Sequence, residues 1–297
     1  MTAPPSRLLL LGHPVAHSLS PTFQNAALRR LGSPLVYEAL DVPPASFGDV
    51  FRALGAQRAA GNVTVPHKAA AATLSDRLTP LAERVGAVNT FWVDAGGAIV
   101  GDNTDVHGFD SAVRELLGRA PANIRVALIG AGGAAAAVLA AADRWSGCAV
   151  AVWNRTAARA QALAARFAGV AHAEDFLADA IRRADLVVNA TSVGLDGQGI
   201  PVDPALLPRR AAVVDLVYRP GETTWVRLAR SRGMRACDGL PMLVEQGALA
   251  FERWLGVAPD RSAMWEAVRQ KAGVAPGAPA PRADARVATP GAEPGKA

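Results

Sequence analysis

Lysine is almost missing from this chain. Against 28 arginines there are three lysines; only Lys68 lies in the first 270 residues, while Lys271 and Lys296 sit in or beside a Pro/Ala-rich end. Ordinary surface cations are therefore written as Arg, and a solitary Lys marks a place that needs an amine able to exchange a proton, which a guanidinium does not do near neutral pH. Chance retention of one surface lysine is the competing reading. Two cysteines, Cys148 and Cys237, exclude a disulfide framework and a zinc spacing, and five scattered histidines form no HExxH or paired cluster. No apolar run reaches the roughly 18 residues of a membrane span, and only Arg7 precedes the short LLLLG run, which is no signal-peptide layout. The expectation is a soluble, cytoplasmic protein with no membrane partner. A net charge of +5 would suit nucleic acid. The arginines, however, are spread singly or in pairs without interleaved aromatics, so no nucleic-acid partner is expected.

What is present is 297 residues, about half of them apolar, enough for one large or two medium domains. The first third alternates strands and helices. Strands are expected at Arg7 to Leu11, Leu35 to Val42, Gly61 to Val65 and Val88 to Val93, the last followed by a turn at Gly96 and Gly97 and a further strand into Gly101. Helices are expected at Thr22 to Leu31 and Ser46 to Leu54, and from Pro66 through HKAAAATL. The middle restarts the alternation with RVALI, GAGGAAAAVLAAA, CAVAVW, DLVVNATSVG, AAVVDLVY and MRACDGL. Alternation of this kind predicts an α/β fold with parallel sheets covered by helices on both faces. PMLVEQGALAFERW has helical spacing, a short helix is expected near Ser262 to Lys271, and 273–297 lacks the large apolar residues needed to fold and is expected to be disordered.

Gly130-Ala131-Gly132-Gly133-Ala134-Ala135 matches G-x-G-x-x-A directly after a strand and at the start of a helix. Gly130 permits the tight turn, Gly132 lets backbone approach a pyrophosphate and Ala135 lets helix pack on strand, so the helix N–H groups face phosphate. The next strand ends in Asn154-Arg155-Thr156, without the carboxylate that would receive a ribose 2′-OH. Arg155 can pair with a 2′-phosphate while Asn154 and Thr156 donate to it, which points to NADP(H). Helix capping by Asn154 or Thr156 is compatible with the same residues. Thr191, in Asn189-Ala190-Thr191 at the end of a third strand, is a further cofactor-side candidate, though turn chemistry would also place polar residues there.

Four polar clusters precede this region: HSLSP (His17 to Pro21), NVTVPHK (Asn62 to Lys68), AVNT (Ala87 to Thr90) and GDNTD (Gly101 to Asp105). Each alone has a capping or edge-strand explanation. In this order, with GAGGA, NRT and a late G-x-x-M-L-x-x-Q, they resemble the shikimate dehydrogenase family from Gly12 to about Trp254. Two departures stand out: Val106 follows Asp105 where the family often has Gly, which leaves the carboxylate in place, and Ala136 stands where an Arg is frequent, which would weaken one cofactor phosphate contact and leave Arg155 as the charged partner.

The resemblance implies reversible NADP-linked reduction of 3-dehydroshikimate to shikimate on the way to chorismate and the aromatic amino acids, with no metal. Ser18 and Ser20 would bind the substrate carboxylate; Thr64, Asn89, Asp105 and Gln246 the ring hydroxyls and carbonyl; Tyr218, one of two tyrosines, the carboxylate or ring. Lys68 and Asp105 would be the catalytic pair. A helix N-terminus and burial favour a neutral amine at Lys68 whereas Asp105 favours the ammonium, and the pair titrates together. Leu216, Gly239 and Met242 would contact the cofactor with Gly130 to Ala134. The implied architecture is an N-terminal α/β substrate domain (1–105 plus 246–272) and a Rossmann-type, doubly wound NADP-binding domain (106–245), with the active-site cleft between them, in a monomer or homodimer. Alternatives are an NAD-preferring quinate/shikimate dehydrogenase, a methylenetetrahydrofolate dehydrogenase, and a non-catalytic relative that binds NADP or a shikimate-like ligand. Arg155, the HSLSP serines with GDNTD, and the intact Lys68 and Asp105 speak against them in turn.

Overall fold

A computed structural model describes residues 4–273. The part of the expected disordered tail beyond Gly273, with Lys296, lies outside the described residues. The chain forms two six-stranded sheets. The first is built from β1 (Leu8–Gly12), α1 (Ser20–Leu31), β2 (Tyr37–Asp41), α2 (Phe47–Ala56), β3 (Ala60–Val63), α3 (Lys68–Leu74), β4 (Arg77–Leu78), α4 (Pro80–Val85), β5 (Thr90–Val93) and β6 (Ile99–Asp102). Helix α5 (Asp105–Leu117) then leads into the second, built from β7 (Arg125–Ile129), α6 (Gly133–Ala142), β8 (Ala149–Trp153), α7 (Ala157–Arg166), β9 (Ala171–Ala173), α8 (Leu177–Arg182), β10 (Leu186–Asn189), β11 (Ala212–Asp215), α9 (Thr224–Ser231) and β12 (Ala236–Cys237). Helices α10 (Leu240–Leu255) and α11 (Arg261–Ala272) return to the first sheet.

The unbroken apolar strands are explained by cover on both faces. Leu8 and Leu10 enter one core with α1, α10 and α11, whereas Leu9 and Leu11 enter another with Phe47, Phe51 and Phe91. Likewise Val126 and Leu128 of β7 face α5, α6 and α7, and Ala127 and Ile129 face α8 and α9. A strand buried on both sides has no polar face to alternate with. The second sheet is parallel throughout, in the order β12-β11-β10-β7-β8-β9, so the strand order reverses between β7 and β10. That is the doubly wound arrangement, with a ligand crevice expected at the reversal.

Three expectations need correction. The first sheet is mixed: β2, β1 and β3 run parallel, but β5 is antiparallel to both β3 and β6. The short connection through Gly96 and Gly97 permits only a hairpin, whereas a parallel neighbour needs a long crossover. The third helix opens at Lys68, not Pro66, because Thr64 to His67 form a turn closed by His67 N–H donating to the Thr64 carbonyl at 2.9 Å. Helix α1 starts earlier than Thr22, at Ser20, with Pro21 in its first turn.

The two passages between sheets, α5 and α10, pack on each other. A methyl group at Gly108 would lie 2.6 Å from the Met242 carbonyl and 2.8 Å from Gln246 Cβ, so the contact requires glycine. Behind it, Arg84 of α4 donates to Asp143 at 2.8 Å and to the Arg166 carbonyl at 2.6 Å, Arg166 donates back to the Val85 carbonyl at 2.7 Å, and the Arg84 guanidinium covers the Phe167 ring at 4.2 Å. At the start of α10, Asp238 Oδ1 accepts from Leu240 N–H at 3.0 Å. Burial pushes its carboxyl up to about 6, with Glu222 and Asp215 adding to the rise and the Leu240 N–H and Arg230 opposing it.

Two stability outcomes are expected. Gly108→Ala forces the α5–α10 crossing apart and should cost about 1–3 kcal/mol in urea unfolding. Asp238→Asn removes the cost of ionising a buried carboxyl. Because the folded-state value is raised, the native protein holds its proton longer than the unfolded chain, so ionisation lowers native stability as pH rises from about 4 through 6. The Asn variant should therefore gain about 1 kcal/mol over the parent at pH 7–8, and the gain should vanish near pH 4.

Candidate active site

The polar clusters of the sequence converge at one edge of the first sheet. Strands β1 and β3 end there, at HSLSP and at Thr64 to Lys68. Because β5 runs the other way, its beginning lies at this same edge: Asn62 pairs with Thr90, and Thr90 with Asp102. Asn89 thereby stands beside the end of β6 and Asp105.

Lys68 Nζ donates to Asp105 Oδ2 at 2.6 Å, with the two side chains 20% and 7% exposed. Lys68 is the first residue of α3 and Asp105 the first of α5, so helix geometry fixes both. Asn89 Nδ2 lies 2.8 Å from Asp105 Oδ1, 3.0 Å from Thr104 Oγ1 and 3.0 Å from Gln246 Oε1. Its Oδ1 accepts from Thr104 N–H at 2.7 Å, and Gln246 Nε2 donates to the Leu243 carbonyl at 2.7 Å. The carboxylate thus receives an ammonium on one oxygen and an amide on the other, the satisfaction a buried charge needs.

Lys68, Asn89, Asp105 and Gln246 line a cleft that is partly open to solvent. Ser18, Ser20, Thr64, Lys68, Asn89, Asp105, Tyr218 and Gln246, all expected from the resemblance, border it. It is also bordered by Ala134, Leu216, Gly239 and Met242, four of the cofactor candidates. Tyr218 interacts with the Leu19 backbone and the Ser18 hydroxyl, and burial raises its phenol above the usual range. Ser18 Oγ also accepts from Ser20 N–H at 3.2 Å.

The remaining cofactor candidates lie at the carboxyl ends of β7, β8 and β10, outside this cleft. Gly130 has φ +115°, and a side chain there would meet the Ala190 carbonyl at 2.9 Å. Nothing lies within 4 Å of where a Cβ would stand on Gly132 or Gly133 at the start of α6, which leaves the loop open outward with its N–H groups unshielded. Ala131 packs on the core beneath. After β8, Arg155 is exposed and makes no ion pair among the described residues, Asn154 Nδ2 donates to the Thr156 carbonyl at 2.9 Å, and Thr156 caps α7 by position without a side-chain bond. A glycine loop, a free guanidinium and two polar neighbours without an acid fit a dinucleotide carrying a 2′-phosphate. Thr191 is turned inward, its hydroxyl donating to Asn189 Oδ1 at 2.6 Å. Ala136 is 3% exposed and packs in the core.

Several residues of the site are not singled out by the sequence. Asn62 lines the cleft, accepting from Tyr37 Oη at 2.8 Å and donating to the Asn89 carbonyl at 3.0 Å. Thr104 joins the Asn89 network, and Leu10, Val63 and Leu243 form apolar wall. Asn62 and Thr104 stand inside NVTVPHK and GDNTD, where strand alternation from Thr64 would have flagged the first; the apolar wall carries no sequence signal.

Among the described residues no helix is long and apolar enough to cross a membrane. Three family models match: the shikimate dehydrogenase substrate binding domain over 10–91, shikimate / quinate 5-dehydrogenase over 114–195, and the shikimate 5′-dehydrogenase C-terminal domain over 239–269. The shikimate dehydrogenase (NADP(+)) of Methylobacterium radiotolerans is 46% identical over 266 residues, which is 87% of this chain and 94% of that one. The crystal structure of shikimate 5-dehydrogenase from Thermus thermophilus in complex with NADP(H) and shikimate superimposes with TM-score 0.79 at 43% identity, covering 89% of this chain and 98% of that one. Quinate dehydrogenase from Corynebacterium glutamicum in complex with NAD superimposes with TM-score 0.81 at 33% identity, covering 89% and 99%. Sequence and architecture agree over nearly the whole described length, and the chain belongs to the shikimate dehydrogenase family.

Proposed function

We propose that this protein catalyses the reversible NADPH-dependent reduction of 3-dehydroshikimate to shikimate, a step toward chorismate and the aromatic amino acids. The observation that carries this reading is the Lys68–Asp105 pair at 2.6 Å on the wall of a cleft shared by hydroxyl-bearing residues of one sheet and the glycine-loop helix of the other. Residues 1–105 with 246–272 would hold the substrate, and 106–245 the cofactor.

NADPH, when bound, supplies the hydride. Reduction of the ketone leaves negative charge on its oxygen. Lys68 stabilises that charge as an ammonium and transfers a proton to the oxygen, which balances the reaction as ketone plus hydride plus proton to alcohol. Asp105 holds the amine in place and accepts a hydrogen bond from a ring hydroxyl. Asn89, whose amide is shared between Asp105 and Gln246, sets the orientation of both. Ser18, Ser20 and Tyr218 receive the carboxylate with hydroxyl donors, and Thr64 a ring hydroxyl. On the cofactor side Gly130 to Ala134 receive the pyrophosphate, Asn154, Arg155 and Thr156 the 2′-phosphate, and Thr191, Leu216, Gly239 and Met242 the nicotinamide end.

An NAD-preferring quinate dehydrogenase is the second reading, since one structural relative of that name carries NAD. The exposed Arg155 and the lack of an acid at the end of β8 favour NADP. With shikimate, absorbance at 340 nm should rise much faster with NADP⁺ than with NAD⁺; equal rates would remove the Arg155 argument. Lys68→Arg keeps the charge but cannot release the proton, so kcat should fall at least about a hundredfold in the same assay. Near-parental kcat would refute the amine's role.

A further inference from the structure

Asp215, the last residue of β11, is 1% exposed and does not border the cleft. Three donors converge on its carboxylate. Oδ1 accepts from Asn189 Nδ2 at 2.8 Å and from Val217 N–H at 3.2 Å, and Oδ2 accepts from Thr223 Oγ1 at 2.9 Å. Burial raises the carboxyl above its usual range while these three donors pull it down, with no cation to help them. A buried carboxylate without an ion-pair partner is a weak source of stability, since its desolvation is offset only by dipoles.

The donors come from places that matter to both ligands. Asn189 uses its other atom, Oδ1, to accept from Thr191 N–H at 3.1 Å and Thr191 Oγ1 at 2.6 Å, so the end of β10 is fixed through Asp215. Val217 lies between Leu216 on the cofactor side and Tyr218, which reaches Ser18 and Leu19 across the cleft. Thr223 both donates to Asp215 and accepts from Val226 N–H at 3.3 Å, closing the 218–223 loop onto α9. Asn189 Nδ2 and Val217 N–H can only donate and share Oδ1, while the Thr223 hydroxyl, which accepts from Val226 N–H, donates to Oδ2, so a carboxylate meets all three groups as they stand and an amide would require the Thr223 hydroxyl to turn and accept.

We infer that Asp215 is a positioning residue that fixes the Thr191 turn and the Leu216–Tyr218 segment at one mutual spacing, so that affinity for NADP and for the substrate both depend on its carboxylate. The inference rests on the proposed reaction.

The test uses Asp215→Asn and, as a milder second variant, Thr223→Val, which removes one of the three donors. Steady-state KM values for shikimate and NADP⁺ are measured together with NADPH affinity by fluorescence titration, which does not depend on turnover. In Asp215→Asn both KM values and the NADPH Kd should rise at least about fivefold, given the sensitivity of such sites to displacements near 1 Å; Thr223→Val should move all three the same way by at least about twofold. A merely structural role would lower the amount of active enzyme and leave these constants alone. Unchanged constants, or a rise for one ligand only, overturn the inference; if Asp215→Asn does not fold, Thr223→Val decides by the same criterion. Parent protein that shows no NADP⁺-linked shikimate oxidation refutes the reaction instead, a separable outcome.

Discussion

The ion pair between Lys68 and Asp105 is the constraint around which the first half of the molecule is arranged. Withdrawing an ammonium and a carboxylate from water costs on the order of several kcal/mol per ion, and their attraction offsets it only with good geometry and satisfied remaining valences. Here the geometry comes from two helix starts, one after a turn closed by His67 and one at the end of β6, and the second oxygen of Asp105 is served by Asn89. Loss of either partner would strand a charge among buried neighbours. The pair is thus a demand placed on the strand order as much as a product of it.

Much of this is legible in the sequence. LLLLG and RVALI announce strands covered on both faces, the glycine loop announces the second sheet, and the four polar clusters fall at strand ends because polar residues break the apolar run there. The antiparallel course of β5 is less apparent, because the Gly96-Gly97 turn requires only that β5 and β6 oppose each other and not which of them runs against β3. Its effect is decisive, since a β5 parallel to β3 would carry Asn89, and with it the end of β6 and Asp105, to the far edge, away from Lys68. Nor does sequence reveal that Gln246, 157 residues later, joins Asn89 at 3.0 Å, because that contact depends on how α10 crosses α5. Asp215 is hidden for a different reason: one acid in AAVVDLVY reads as a strand end, and only its three donors mark it as more.

Many arginines are engaged with carboxylates or carbonyls, as in the Arg84–Asp143 and Arg253–Asp102 pairs. Arg155 stands exposed at the end of β8, near the glycine loop, with no ion pair among the described residues.

Gly108 has a mechanical consequence. Backbone meets side-chain root where α5 crosses α10, and these are the two segments by which the chain passes from one sheet to the other. A swing of one sheet against the other that preserves this crossing turns about it as a lever about a fulcrum. Asp105 lies one helical turn from Gly108, and Gln246 touches it, so the acid–amine pair sits near the axis and travels least. Arg155, at the end of β8 and outside the cleft, would travel farther, so such a swing changes the opening between the sheets while Asp105 and Gln246 keep their spacing.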